Sequence, residues 1–289
     1  MNNIILIDDK QSYIDSFVVE ARAKNIKVSP ANSLEGLKKI IPKFSHNFAC
    51  VVLDIKCLLT DDQPKEDASF IGDAMQYLDM NSPGFPRFIL TGDQSEFDKL
   101  KGFYPKEKMY LKTPDDQARL FIDLIECIAQ SEILKIKTEH NTVFEIFRQG
   151  KMDNAAELLL IKVLKAGLIE KNFVNFRSIL AEVRSLQENL YKSINSRNKN
   201  VVPDTMFRPN GMIKFNDLMK HLSGNVIPPA NPNRTVYQNP TIYQLSNSLY
   251  WSCGEYIHDD PNRTYFISDY TIKSLINNLF ELIIWSKQY

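Results

Sequence analysis

Apolar residues in the first part of the chain fall into five short runs, each followed by a segment with helical spacing. The runs are Ile4–Ile7, Ile26–Val28, Phe48–Asp54, Arg87–Thr91 and Lys108–Lys112. Short apolar runs are typical of strands that are buried on both faces of a parallel sheet. Between the runs, apolar residues recur every three or four positions, as Ile14, Phe17 and Ala21 do. Five β-α units in succession predict a doubly wound, flavodoxin-like α/β domain with a five-stranded parallel sheet.

Turn and capping residues mark the ends of these predicted helices. Asn32 precedes the second helix and has Glu35 three residues later, which is a capping-box pattern. Pro83 and Gly84 end the third helix. Pro114 suits the first turn of the last helix of the α/β domain, where its missing N–H costs nothing.

The second half of the chain has helical periodicity almost throughout. One apolar stripe runs through Phe176, Ile179, Val183 and Leu190, and the residues from Ile272 to Ile284 form another. Val226–Pro240 holds four prolines and is predicted to be a loop. We therefore expect an all-α domain of five or six helices.

The connection between the two halves has two interpretations. Residues 131–149 contain neither Gly nor Pro, so residues 114–149 are predicted to form one long helix. The alternative is two helices with a bend near Lys137–Asn141. In either case we expect an α/β domain over residues 1–130, a linker helix over residues 131–150 and an α-helical output domain over residues 151–289.

Composition and charge narrow the class of protein. The 289 residues suffice for two domains. Residues 1–140 carry 18 Lys and Arg against 22 Asp and Glu, and residues 141–289 carry 17 against 13, so the halves have net charges of −4 and +4. This asymmetry falls well short of a nucleic-acid-binding charge pattern. The four cysteines show no Cys-x-x-Cys spacing, and we find no N-terminal signal. No apolar run approaches the ~20 residues of a membrane span. These features favour a cytoplasmic protein with reduced thiols.

Polar residues stand at the ends of four of the predicted strands. Asp8 and Asp9 follow the first strand and Asp54 follows the third, while Thr91 and Lys112 follow the fourth and fifth. Ligands of open parallel sheets bind outside the carboxyl ends of the strands, so these side chains should meet at one edge. Three carboxylates repel one another unless a cation is present, and oxygen ligands suit Mg²⁺. A carboxylate can carry a phosphoryl group covalently, and a lysine and a hydroxyl can hold its oxygens.

This pattern resembles the receiver domain of bacterial response regulators over residues 1 to about 130. The resemblance implies that Asp54 accepts a phosphoryl group from a histidine kinase or a phosphotransfer protein. It also implies that Mg²⁺ is bound by Asp9, Asp54 and the backbone carbonyl of Lys56, with Asp8 acting through water. Thr91 and Lys112 would hold the phosphoryl oxygens. Gly92 has no side chain, so the phosphoryl group can approach the backbone closely.

Three features depart from the receiver pattern. Thr113 lies between Lys112 and Pro114, where the family usually has Lys-Pro. The position of the family's switch aromatic is Met109 here, and the neighbouring Tyr110 should point to the opposite face. The loop Lys56–Asp67 is long and is expected to cover the phosphorylation site or bind a partner.

The helical half gives weaker indications of function. Three segments faintly resemble the helical HEPN-like domains of prokaryotic toxins. They are Phe173–Ile194, the tetrapeptide ending at His258 and the terminal helix with Trp285. The ribonucleases of that group carry an Arg four to six residues before a His, and no Arg precedes His258 in that window, so nuclease activity is not supported.

We expect this half to be an adaptor without sequence-specific DNA binding, whose rings near Tyr243, Tyr250, Trp251 and Tyr256 serve packing or a protein partner. A homodimer and an unnamed protein partner stay open. No catalysis is expected beyond phosphorylation and dephosphorylation of the receiver itself. The alternatives are a receiver fused to an RNA- or phosphodiester-acting helical effector, and a receiver-like scaffold that works without phosphorylation.

Overall fold

The computed structural model describes residues 3–44, 47–170, 175–225, 233–257 and 267–289. It divides into two compact units, residues 1–135 and residues 136–289. In the described residues, no helix combines the length and the apolar character that crossing a membrane requires.

The first unit is an α/β unit with one five-stranded parallel sheet in the order β2-β1-β3-β4-β5. Its strands are β1 (Asn3–Ile7), β2 (Lys27–Ala31), β3 (Val51–Asp54), β4 (Arg87–Thr91) and β5 (Lys108–Leu111). Its helices are α1 (Gln11–Ala23), α2 (Leu34–Phe44), α3 (Phe70–Asn81), α4 (Gln94–Leu100) and α5 (Pro114–Glu139). This strand order is that of the flavodoxin-like fold, as predicted.

Alternation along the strands divides the core between the two faces of the sheet. Ile4 and Leu6 of β1 pack with residues of α1 and α5, while Ile5 and Ile7 pack with residues of α2 and α3. Both faces are therefore covered, which is why the residues Ile4–Ile7 of β1 and Val51–Leu53 of β3 are apolar without interruption. Tyr110 lies in the first cluster and Met109 packs against the second, so the two side chains point to opposite faces as expected.

Several predictions about the ends of elements in this unit are wrong. The second strand is Lys27–Ala31 rather than Ile26–Val28, and the fifth ends at Leu111 rather than Lys112. The cap of α2 is Ser33 rather than Asn32, because the Ser33 hydroxyl accepts the Gly36 N–H at 2.9 Å. The third strand begins at Val51 rather than Phe48, because the backbone pairing with β4 starts there. The predicted start of α5 at Pro114 is confirmed.

Helices are the main elements of the described part of the second unit. They are α6 (Asn141–Arg148), α7 (Asn154–Leu164), α8 (Phe176–Arg197), α9 (Phe215–Leu222), α10 (Pro240–Ile257) and α11 (Asp269–Ser286). A π-helical turn at Lys165–Ile169 follows α7, and a 3-10 turn at Asp204–Met206 precedes α9. The core surrounds α8, which packs against α7, α10 and α11.

The single long helix predicted for residues 114–149 is wrong, and the two-helix alternative is confirmed. The break falls at His140, between α5 and α6. The predicted loop Val226–Pro240 lies partly outside the described residues, and α10 begins at its last residue. Phe173 and His258, on which the HEPN-like resemblance partly rests, also lie outside them.

Candidate phosphoacceptor and metal site

Three carboxylates converge at the carboxyl edge of the sheet. Asp8 follows β1 and Asp54 ends β3, and these strands are hydrogen-bonded neighbours in which Ile7 pairs with Leu53. Asp8, Asp9 and Asp54 each offer an oxygen atom within 4.8 Å of the others. The parallel register thus brings Asp8 and Asp54 together although they lie 46 positions apart in the sequence.

Lys112 bridges two of these carboxylates. Its Nζ donates to Asp54 Oδ2 at 2.5 Å and to Asp8 Oδ2 at 2.6 Å. The Lys112 side chain is 11% exposed, that of Asp8 is 1% and that of Asp54 is 8%, so solvent screens this interaction little. The ammonium therefore partly compensates a concentration of buried negative charge.

Burial raises the pKa of Asp54 to about 6, and the Asp8 carboxylate adds to the rise while Lys112 opposes it. For Lys112, burial by itself lowers the pKa of the ammonium. The charges of Asp54 and Asp8 outweigh that effect, so its pKa lies above the usual value. Lys112 is thus held as a cation beside a carboxylate whose ionised form is disfavoured by its surroundings.

The residues present fit a hard divalent cation. Asp9 Oδ1 is buried and has no hydrogen-bond partner among the described residues. Asp8 Oδ1 accepts the Lys10 N–H at 3.0 Å, and Asp54 Oδ1 accepts the Ile55 N–H at 2.7 Å. An unsatisfied buried carboxylate oxygen is costly, and an all-oxygen donor set is the kind that Mg²⁺ prefers.

Thr91 and Gly92 lie beside Lys112. The main-chain oxygen of Thr91 accepts the Lys112 N–H at 2.7 Å, and its hydroxyl accepts the Asp93 N–H at 3.1 Å. The Thr91 side chain is buried, whereas Gly92 is exposed. A Cβ at Gly92 would meet Lys112 Cδ at 3.9 Å and nothing else within 4 Å, so the space beside this backbone is open.

The Lys56 side chain points toward the start of α4. Its Nζ lies 3.7 Å from Asp93 Oδ2 and 3.5 Å from Glu96 Oε1. The role expected of its backbone carbonyl as a metal ligand stays a prediction.

Thr113 has a structural role that explains why it stands between Lys112 and Pro114. Its carbonyl accepts the Gln117 N–H at 2.9 Å, which is the first backbone bond of α5. Thr113 is therefore the residue before the helix, and Pro114 occupies the first helical position. The extra residue is accommodated as a helix start while Lys112 still reaches Asp54.

Tyr13 belongs to the site and was missed from the sequence. Lys112 Nζ lies 4.3 Å from the centre of its ring. Its hydroxyl donates to Gln117 Oε1 at 3.2 Å, and Gln117 Nε2 donates to Glu20 at 2.6 Å. Burial, together with Asp8 and Asp54, raises the pKa of Tyr13, so the phenol stays neutral. Its position one helical turn after Asp9 was the only signal in the sequence.

The long loop after Asp54 is bonded to the start of α2. The carbonyls of Leu58 and Leu59 accept the N–H groups of Leu34 and Glu35 at 2.9 and 3.1 Å. These N–H groups belong to the first turn of α2, where no carbonyl of the helix itself can pair with them. Asp61 adds side-chain bonds to Ser33 at 2.5 Å and to Lys39 at 2.7 Å. The loop is therefore an ordered part of the unit.

Of the aromatic residues expected to serve packing or a protein partner, Tyr250 and Tyr256 contact other rings, and Trp251 is largely exposed. Tyr250 stacks on Phe215 with ring centres 3.7 Å apart, and Arg184 lies 4.1 Å over the Tyr250 ring. Tyr256 meets Phe176 edge-on at 6.3 Å. Trp251, by contrast, is 54% exposed.

No protein-family model matches the chain, and no curated protein matches it. Solved structures similar to it include the beryllofluoride-activated NtrC4 receiver domain dimer, at 17% identity and a TM-score of 0.36, covering 45% of this chain and 99% of that one. The non-phosphorylated HemR receiver domain of Leptospira biflexa is 17% identical, with a TM-score of 0.35 and coverages of 44% and 94%.

Full-length FixJ from B. japonicum is 18% identical, with a TM-score of 0.36 and coverages of 65% and 89%. An adenylate cyclase from Rhodopirellula baltica is similar at 18% identity, with a TM-score of 0.36 and coverages of 48% and 95%. The assignment of the flavodoxin-like fold rests on the strand order of the sheet and on the parallel pairing of its strands. Receiver domains of response regulators are among the solved structures that this chain resembles.

Proposed function

We propose that this chain is a two-component response regulator in which Asp54 accepts a phosphoryl group and the helical unit acts as an adaptor. The observation that carries the proposal is the buried arrangement in which Lys112 bridges Asp54 and Asp8, with Asp9 beside them. A structural ion pair needs one carboxylate per lysine. Asp9 is a third carboxylate, and its buried Oδ1 has no partner among the described residues, which is explained by a site that binds a cation and an anionic group.

In the proposed reaction, a carboxylate oxygen of Asp54 attacks the phosphorus of a phosphohistidine or a small acyl phosphate. The new bond joins this oxygen to phosphorus, and the P–N or P–O bond of the donor breaks. The leaving imidazole or carboxylate keeps the bonding electrons, and the imidazole takes up a proton. Asp54 must be ionised to attack, and the adjacent Lys112 cation favours that form.

The other residues act on the phosphoryl group once it has been transferred. Lys112 exchanges its bond to Asp54 for one to a phosphoryl oxygen, since an ammonium binds phosphate as a point charge. The Thr91 hydroxyl donates to another oxygen, and the open space at Gly92 admits the group. Asp8, Asp9, Asp54 and the Lys56 carbonyl would hold Mg²⁺, which when bound neutralises charge that develops during transfer.

The donor is proposed to be a histidine kinase or a phosphotransfer protein, and the output a protein partner of the helical unit. The four cysteines are free thiols, which suits the reducing cytoplasm. Phosphorylation adds charge at the edge of the sheet, and charge added by a modification acts by ordering or displacing neighbouring segments. The loop held by Asp61 adjoins Asp54 in the chain and is the segment most directly exposed to that change.

Intact-mass measurement after incubation with Mg²⁺ and acetyl phosphate tests the proposal. We expect the wild-type chain to gain the mass of one phosphoryl group with Mg²⁺ and none with EDTA. Asp54→Asn should gain none, whereas Asp62→Asn, an exposed carboxylate of the same loop, should behave like the wild type. No gain in folded wild-type protein would support the phosphorylation-independent scaffold instead.

A further inference from the structure

A cleft of the helical unit combines positive charge with apolar surface. Its volume is about 350 Å³, and its lining consists of Arg208, Lys214, Phe215, Asn216 and Asp217. The segment before it is a hairpin in which Phe207 is bridged to Ile213, and α9 begins directly afterwards at Phe215. The cleft is therefore formed by a backbone-bonded hairpin and the first turn of a helix.

The apolar part of this region contains stacked rings and is partly exposed. The Phe215 ring stacks on Tyr250 and meets Trp251 edge-on with ring centres 6.3 Å apart. Trp251 is 54% exposed, and Met212, three residues before Phe215, is 50% exposed. Trp and Met are enriched in the cores of protein interfaces, and a ring fixed by stacking loses little entropy on binding.

The charged part has an excess of cations. Arg208 is exposed, and the described residues include no ion-pair partner for its guanidinium. Lys214 Nζ donates to the Thr205 carbonyl at 3.0 Å, which positions the ammonium without neutralising it. Asp217 is the one carboxylate among the described lining residues, which include two cations, Arg208 and Lys214.

We propose that the cleft and Trp251 bind an acidic segment of a partner protein, one that carries an aliphatic or aromatic side chain next to its carboxylates. The carboxylates would pair with Arg208 and Lys214, and the apolar side chain would cover Trp251 and Met212. The inference deepens the proposed adaptor function, because it names the chemistry of the partner. Two cations are too few for a nucleic acid, whose affinity depends on neutralising many phosphates.

Selection from a random linear peptide library displayed on phage tests the proposal, with the full-length Asp54→Asn chain as target. We expect enrichment of peptides in which Asp or Glu adjoins a large apolar residue. A synthetic copy of the enriched peptide should bind about tenfold more weakly to Arg208→Glu and to Trp251→Ala, as expected for Arg and Trp anchors. The matched controls Lys192→Glu and Tyr270→Ala change an exposed cation and a 77%-exposed ring elsewhere, and should keep the affinity.

Enrichment of peptides without acidic residues would overturn the proposal, as would an affinity that is unchanged in both Arg208→Glu and Trp251→Ala. Displacement of the peptide by millimolar inorganic phosphate would instead identify a small-anion site. Binding of single-stranded RNA in preference to the peptide would favour the effector alternative. Because the target lacks the phosphoacceptor, a failure of phosphorylation at Asp54 leaves this result unaffected.

Discussion

At the scale of single residues, Asp9 tests whether the carboxylate cluster binds a metal. Its Oδ1 is buried without a partner among the described residues, so the folded state should gain from a bound cation. We expect Mg²⁺ at ten times its Kd to stabilise the wild-type chain by about 1.4 kcal/mol. Asp9→Asn should lose this gain without losing stability in EDTA. Thermal unfolding with Mg²⁺ and in EDTA measures the gain from the metal and the stability without it. An undiminished Mg²⁺ effect in the variant would place the metal elsewhere.

Substitution of Lys112 tests how strongly the stability of the site depends on this buried cation. Removing it leaves Asp8 and Asp54 buried without an ion-pair partner among the described residues, so Lys112→Met should lower the free energy of unfolding in EDTA by about 3 kcal/mol. Added Mg²⁺ should restore part of the loss, because it supplies positive charge.

The control for this variant is Lys108→Met. The Lys108 side chain is 56% exposed and lies 2.7 Å from Asp123. Exposed pairs of this kind contribute less than about 1 kcal/mol. Equal losses in the two variants, measured by chemical denaturation, would show that the Lys112 pairs have no special importance.

His221 gives a pH dependence to the helical unit. Its ring is fully buried, and its Nε2 donates to the Asn200 carbonyl at 3.1 Å, since that carbonyl is an acceptor. Burial lowers the pKa of His221 below its usual value near 6.5, so the folded state favours the neutral ring. The unfolded chain then binds the proton more readily than the folded chain does.

Stability should therefore be full above pH ~6.5 and fall below it, by at most about 1.4 kcal/mol per pH unit for one proton. Urea denaturation between pH 5 and pH 8 measures this effect. The profile of His221→Gln should lack this component, and identical profiles of the two proteins would contradict the assignment.

At the scale of elements, a matched pair of glycines separates packing from helix propensity. A Cβ at Gly167, in the π-helical turn after α7, would lie 2.7 Å from Ile276 Cδ1 of α11. Gly167→Ala should cost about 1–3 kcal/mol through overpacking. Gly72 lies in α3 with no atom within 4 Å of a Cβ, so Gly72→Ala should stabilise the chain by up to about 1 kcal/mol. Equal effects in thermal unfolding would contradict this packing.

Periodicity predicted the helices and strands better than it predicted their ends. The helical stripes follow from apolar spacing, which burial imposes along a whole element. The start of α2 depends instead on whether Asn32 or Ser33 caps its first turn. Local pattern leaves that choice open, and the structure shows Ser33 accepting the Gly36 N–H. The helix break at His140 is not marked by a Gly or a Pro in the sequence. There the ring packs 4.9 Å from Phe280 of α11, a tertiary contact that the local sequence does not contain.

At the scale of the molecule, the strand ends made the candidate site predictable. Asp8, Asp54, Thr91 and Lys112 each follow an apolar run, and the carboxyl ends of parallel strands share one edge. The long-range partners were not predictable in this way. Tyr13 reaches Lys112 across the sheet edge, and the loop after Asp54 bonds to α2 through backbone carbonyls. The cleft at Arg208 likewise depends on the hairpin before α9.

Localisation of the phosphoryl group to one residue tests the central claim most directly. After reaction with acetyl phosphate and Mg²⁺, borohydride reduction converts an aspartyl phosphate to homoserine, which peptide mass spectrometry assigns to a position. We predict homoserine at position 54 in the wild-type chain and nowhere in a sample reacted in EDTA. Homoserine at position 8 or 9, or unmodified Asp54 in protein that has gained phosphoryl mass, would contradict the account.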